Sequence, residues 1–250
     1  MTISISTLGK NGYLGNQMFQ YAALRGISTN RKFDYCIPKS KIELYECFDI
    51  LLKDGSIGEY QVSHRGFEFD EKLFSNCPDN VDLYGYFQTE KYFRHIEQEI
   101  RKEFTFKSKI DKICSHYFEQ KFCGDNVISL HVRRGDYLVD SNFHVLDLNY
   151  YLEALEILPN CQVMIFTNDI EWVEDNFKDK KFTISKTRNQ FFDLCLMTKC
   201  DYHIIANSSF SWWGSWLAKS KKTIAPKKWF AGNLSSWNTK DLYLEDWIIL

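Results

Sequence analysis

Residues 127–136 read VISLHVRRGD, an unbroken apolar run that ends in His131, Arg133, Arg134 and Asp136, with Gly135 between the last two. Such a run suits a strand buried on both faces of a parallel sheet. Further runs follow at short intervals: VMIFTN (163–168), FTIS (182–185), YHIIA (202–206) and KTIAP (222–226). Between them lie helical patterns, LNYYLEALEILP (148–159, stopped by Pro159), IEWVEDNF (170–177), NQFFDLCLMTKC (189–200) and SFSWWGSWLAK (209–219). Buried strands alternating with helices predict a Rossmann-like α/β domain, with ligands at the carboxyl ends of the strands.

The first half is less regular. Ile3–Leu8 alternates as a strand does, Gly12–Gly15 forms a turn, and NQMFQYAALRGIS (16–28) reads as a helix. A loop carrying Gly55, Gly58 and Gly66 follows, and then a helical segment at 89–103. These predict a second α/β unit. The charged stretch Lys107–Lys121 reads as containing a linker, which sets expected domains of 1–118 and 119–250. A chain of 250 residues is long enough for two small cores.

With 31 basic and 33 acidic residues, nothing in the charge points to nucleic acid. The eight cysteines form no Cys-x-x-Cys pair, and several lie inside apolar runs, so buried free thiols are expected. No apolar stretch approaches the roughly 20 residues of a membrane span. The basic cluster Lys219–Lys228 reads as a solvated surface, with weak contact to an anionic membrane as the alternative.

Two segments carry the chemistry. Arginine's planar fork grips phosphate oxygens in pairs and keeps its charge. On a strand, His131 and Arg133 share a face while Arg134 points away, free to pair with Asp136. The competing reading is an ion pair at a strand end. NSSFSWWG (207–214) is the complementary half: Ser208 or Ser209 would cap the next helix, whose first N–H groups attract an anion. The competing reading there is an ordinary cap. Trp212, Trp213 and Trp216 fall at helical spacing and read as core. Walker, G-x-G-x-x-G and H-E-x-x-H motifs are absent, as is any Asp-x-Asp pair for a metal-held diphosphate. No metal is expected.

GYLGNQMFQYA (12–22), HVRRGDY (131–137), LDLNYYLEAL (146–155), FTNDIEWV (166–173) and NSSFSWWGSWL (207–217), in this order, resemble the α-1,2-fucosyltransferases over nearly the whole chain. One departure is Tyr13, where that family usually has a second glycine. The resemblance implies a GT-B-like fold of two Rossmann-like domains, with the donor site in the C-terminal one. It implies an inverting glycosyltransferase that moves L-fucose from GDP-β-L-fucose to O2 of a terminal galactose without a metal. Protein O-fucosyltransferases and the α-1,6-fucosyltransferase share the arginine motif. In them an aspartate that reads guanine precedes a phosphate-holding serine by sixteen positions, a spacing matched by Asp193 and Ser209. The alternative for Asp193 is a solvated helix residue. By the same route Gly15 and Asn16 contact the donor from the first domain, His131 sits by the guanosine and Phe210 by the phosphates. Asn207, Ser208, Ser209 and Arg134 complete the implied donor set.

Arg133 would then offset charge on the departing β-phosphate. Asp136 is the candidate base by position, with a salt bridge as its alternative role, and His144 is a weaker candidate. The expected acceptor is a galactose-terminated oligosaccharide or lipid-linked glycan. The expected setting is the bacterial cytoplasm, where surface polysaccharides are built. Two other functions remain: a GDP-fucose transferase of different linkage or acceptor, and a catalytically silent nucleotide- or glycan-binding module.

Overall fold

The computed structural model describes residues 1–37, 42–50 and 53–250. The chain divides into two compact units, residues 1–107 with 237–244, and residues 108–236 with 245–250. The division thus lies at 107/108, not at 118/119. The expected linker is instead a helix, because Ile110, Cys114 and Phe122 recur at helical spacing and are buried. Its many exposed charges had concealed that stripe.

The first unit holds β1 (Thr2–Ser4), α1 (Leu14–Arg31), β2 (Asp34–Cys36), α2 (Leu44–Cys47), β3 (Tyr60–Ser63), α3 (Glu71–Asn76), β4 (Val81–Tyr84) and α4 (Glu97–Glu103). Its strands form a parallel sheet in the order β2-β1-β4-β3. The expected helix at 89–103 is broken: two 3-10 turns, Glu90–Tyr92 and Arg94–Ile96, precede α4. Buried Asp82 of β4 accepts from the Ser4 hydroxyl at 2.7 Å and from both the amide and the hydroxyl of Ser6, which pins the end of β1. Gly12 makes the turn into α1. Its φ is +94°, and a Cβ there would meet Asn16 Nδ2 at 2.3 Å. Tyr13, the departure from the family pattern, has φ −85° and ψ −174°. That is ordinary extended backbone, so the tyrosine leaves the turn unstrained.

The second unit holds α5 (Ser108–Phe122), β5 (Val127–Val132), α6 (Leu148–Ile157), β6 (Gln162–Thr167), α7 (Ile170–Asn176), β7 (Phe182–Ile184), α8 (Gln190–Met197), β8 (Tyr202–Ile204), α9 (Ser209–Ala218), β9 (Lys222–Ala225) and β10 (Ile248–Ile249). All six strands are parallel, in the order β10-β9-β8-β5-β6-β7. Every residue of β5 is buried, as its continuous apolar run requires. The chain therefore runs outward from β5 through β6 to β7, then returns to β8 on the other side. The reversal falls between β5 and β8, which makes their carboxyl ends the topological switch point where ligands bind. β10 extends the sheet beyond the five strands expected.

Four helices of this unit, α6 to α9, start on side-chain caps. Asp147 accepts from Tyr150 N–H, Asp169 from Trp172 N–H, Asn189 from Phe191 N–H and Ser208 from Phe210 N–H. Each such cap is worth about 1 kcal/mol. Trp212, Trp213 and Trp216 are buried and pack on one another. All eight cysteines are free thiols, with Cys123 exposed and Cys161 half-buried.

Candidate active site

β5 and β8 are neighbours, with Leu130 opposite Ile204, so their ends deliver the two sequence segments side by side. Arg133 follows β5 directly. Its Nη2 donates to Asp136 Oδ2 at 2.7 Å, and its guanidinium lies 5.5 Å from the Tyr137 ring centre. Its Nε is buried and lacks a protein partner. Native proteins seldom leave such a donor unpaired, so a group waiting for a ligand is a natural explanation. His131 is 5% exposed with an unpaired Nδ1, and its ring lies 5.8 Å from Phe210 at the start of α9. Burial, reinforced by the Arg133 charge, lowers its pKa to about 3. The imidazole is therefore neutral at any working pH.

Arg134 does not pair with Asp136. Its Nε donates to Asp169 Oδ2 at 3.0 Å, and the guanidinium stacks 4.4 Å over Trp172. Asp169 thus serves twice, capping α7 with Oδ1 and holding Arg134 with Oδ2. The two arginines take different partners, and those of Arg134 come from the start of α7, which local alternation along a strand cannot reveal.

On the β8 side, Ser208 is the cap, accepting from Phe210 N–H at 3.3 Å, and Ser209 opens α9. Asn207 is fully buried. Its Nδ2 donates to the carbonyls of His144 (2.9 Å) and Trp229 (2.7 Å), while Oδ1 is unpaired. It brackets two loops as well as lying at the site. The Tyr137 hydroxyl donates to the Asn207 carbonyl at 2.9 Å and so joins the arginine turn to the start of α9. Burial lowers the His144 pKa.

Asp193 on α8 is not a solvated residue. Its Oδ1 accepts from Ser185 Oγ at 2.5 Å and Thr187 Oγ1 at 2.7 Å. Burial raises its pKa against the lowering effect of those two bonds. Oδ2 takes no part in the bonds to these hydroxyls, which leaves one oxygen for a ligand's donors.

In the first unit, Gly15 lies in the opening turn of α1, and Asn16 Oδ1 accepts from Gln88 Nε2 at 2.7 Å. Asn168, which the sequence reading passed over inside FTNDIEWV, contacts the arginine turn at two points. Among the described residues, no three His, Cys, Asp or Glu side chains are grouped to hold a metal ion. No described helix is long and apolar enough to cross a membrane.

Two parallel-sheet units, the second bearing arginine and a helix start at its switch point, define a GT-B-like glycosyltransferase. The model of glycosyl transferase family 11 matches residues 2–250, and the chain belongs to that family. It is 29% identical to an alpha-1,2-colitosyltransferase of Escherichia coli, an alignment that covers 99% of each chain. It is 31% identical to the O-antigen biosynthesis glycosyltransferase WbnK of Escherichia coli, over 81% of this chain and 70% of that one. A galactoside 2-alpha-L-fucosyltransferase of Caenorhabditis elegans is 26% identical, over 96% of this chain and 75% of that one. Among solved structures, NodZ alpha-1,6-fucosyltransferase soaked with GDP-fucose superposes with a TM-score of 0.60 at 14% identity, covering 90% of this chain and 94% of that one.

Proposed function

We propose that the chain transfers L-fucose from GDP-β-L-fucose to O2 of a terminal galactose, with inversion and without a metal. The observation that carries this reading is Arg133: a fixed cation at the switch point, with one buried donor unpaired, beside the opening of α9. The acceptor oxygen attacks C1 of fucose as the C1–O bond to the β-phosphate breaks, and GDP leaves with the bonding electrons. Charge then grows on the β-phosphate, where the guanidinium and the first N–H groups of α9 oppose it. The acceptor proton must pass to a base. Asp136 is kept as the candidate, because a carboxylate with two bonded oxygens retains free lone pairs. Asp193 would accept N1–H and N2–H of guanine. The acceptor would be a surface-polysaccharide precursor or other galactose-terminated glycan, as the resemblance to the O-antigen biosynthesis glycosyltransferase supports, and the proposed setting is the cytoplasm.

The test is incubation with GDP-fucose and a galactose-terminated oligosaccharide in EDTA, followed by linkage analysis of the product. An α-1,2 product formed at the same rate with and without EDTA is expected. Another linkage would keep the donor reading and change the acceptor geometry. Bound GDP with no turnover would favour the silent binding module. A second donor has its own support in the colitosyltransferase relative. Colitose is fucose without the 3-hydroxyl, so a competition between GDP-fucose and GDP-colitose decides which sugar the pocket prefers.

A further inference from the structure

We propose that Asn168 is a positioning residue for Arg133, acting through Asp136. The inference rests on reading Arg133 as the phosphate-facing group. Asn168 follows β6, whose last residue, Thr167, lies opposite Val132 at the end of β5. Its side chain therefore faces the arginine turn. Oδ1 accepts the Arg134 backbone N–H at 2.9 Å, and Nδ2 donates to Asp136 Oδ1 at 3.1 Å. The other oxygen of Asp136 accepts from Arg133 Nη2 at 2.7 Å. The three side chains form one line: amide to carboxylate to guanidinium.

The amide has one workable orientation. Flipped, it would set Nδ2 against the Arg134 N–H and Oδ1 against the Asp136 carboxylate, two repulsive contacts. The backbone N–H thus fixes the face that the amide shows Asp136. Gly135 completes the fit: a Cβ there would meet Asn168 Nδ2 at 2.5 Å and Cγ at 3.0 Å. The glycine lets the turn close onto the amide. A carboxylate held on one side by a rigid amide presents its free side to the guanidinium in one pose. Sub-ångström placement of a catalytic cation is the kind of work such a partner performs.

Asn168→Asp isolates the donation. The carboxylate keeps the volume and can still accept the Arg134 N–H, but it cannot donate to Asp136. Two ionised carboxylates this close repel, so the pair takes up a proton more readily than either acid alone. That proton restores the missing donor. The other charged groups around the turn are Arg133, Arg134, Asp169 and Asp140, with the buried imidazole of His131 beside Arg133, all unchanged in the variant. Asn168→Asp is expected to lower kcat about tenfold or more at pH 8, with acceptor KM nearly unchanged. Its activity relative to the native enzyme should recover as pH falls toward about 5.5. Asn168→Ala should lose a similar amount with no such recovery.

A purely structural role would lower the melting temperature and give both variants the same pH-independent loss. That result overturns the proposal, as does native kcat in either variant. Arg133→Ala is measured alongside. If it is inactive while Asn168→Asp behaves as native, only the positioning role falls. If Arg133→Ala transfers normally, the phosphate reading itself is wrong.

Discussion

The hydroxyl of Tyr137 donates to the backbone carbonyl of Asn207 across 2.9 Å, though seventy residues separate them in the chain. The bond ties the turn that carries Arg133 and Asp136 to the loop that opens α9. The ring is also clamped: it stacks on Phe143 at 4.3 Å, with 10° between planes. The two halves of the candidate diphosphate site are therefore held at one spacing by a single buried tyrosine. Tyr137→Phe keeps the stacking and removes only the donor, leaving a buried carbonyl unpaired. The expected loss is about 1–2 kcal/mol of unfolding free energy in urea titration. A matching loss of GDP affinity by calorimetry would show that the bond sets the spacing of the site.

Arg133→Ala should lower kcat about 100- to 1000-fold while leaving the circular dichroism spectrum native. Arg133→Lys keeps the charge but loses the fork that pairs with Asp136, so partial activity is expected. Steady-state kinetics on the three proteins decides this. A near-normal rate in Arg133→Ala would remove Arg133 from the mechanism.

Arg134 should behave differently. It is half-buried between Asp169 and the Trp172 face, so Arg134→Ala strands a carboxylate that also caps α7. A stability loss of about 2 kcal/mol is expected, with GDP affinity changed far less than in Arg133→Ala. Chemical denaturation and calorimetry on the same pair of variants separate the two arginines.

Two buried histidines predict acid lability. Burial lowers the pKa of His131 to about 3 and that of His203 to about 4. His203 is held neutral between Ser220 and the Met197 carbonyl. Below an unfolded pKa of about 6.5, the unfolded chain takes up protons that the folded one refuses. Stability is therefore full above that pH and falls as pH drops toward the folded values. The slope should approach about 2.7 kcal/mol per pH unit for the two groups together. Asp193, with its raised pKa, acts in the opposite sense, so the histidine contribution is read as the difference between the native protein and His203→Gln across pH 5–6.5. Urea unfolding across that window should show the slope, and His203→Gln should remove about half of it.

How much of this could be read from the chain alone depends on where each partner lies. The strands from Val127 to Ala225 are legible because a strand buried on both faces needs no long-range information to declare itself. Strand β10, two residues after an acidic pair, carries no such signal; its pairing with β9 is decided by tertiary contact alone. The α5 helix was hidden for the opposite reason, since three buried positions stand among many exposed charges. In the site, HVRRGD and NSSFSWWG announce themselves by composition. What separates Arg133 from Arg134, however, is Asp169 and Trp172, more than thirty residues on. Asn168 was missed because an asparagine before a capping aspartate reads locally as part of a turn.

Asp193 offers the sharpest test of donor identity. In the fold it sits in the opening turn of α8, next to the cap residue Asn189, with Oδ1 anchored by Ser185 and Thr187. Two hydroxyls on one oxygen fix the plane of the carboxylate, so the direction of Oδ2 is set before a ligand arrives. A preset acceptor suits guanine, whose N1–H and N2–H point the same way, and it suits adenine poorly, whose N1 is itself an acceptor. Asp193→Asn replaces one acceptor by a donor at constant volume. It is expected to weaken GDP by about 10- to 100-fold and to narrow the preference for GDP over ADP. Inosine diphosphate keeps N1–H and lacks the 2-amino group, so the native protein should bind it at an intermediate level. Calorimetry with the three nucleotides reads all of this. Equal GDP affinity in the variant and native proteins would leave Ser185–Thr187–Asp193 a purely structural lock between β7 and α8.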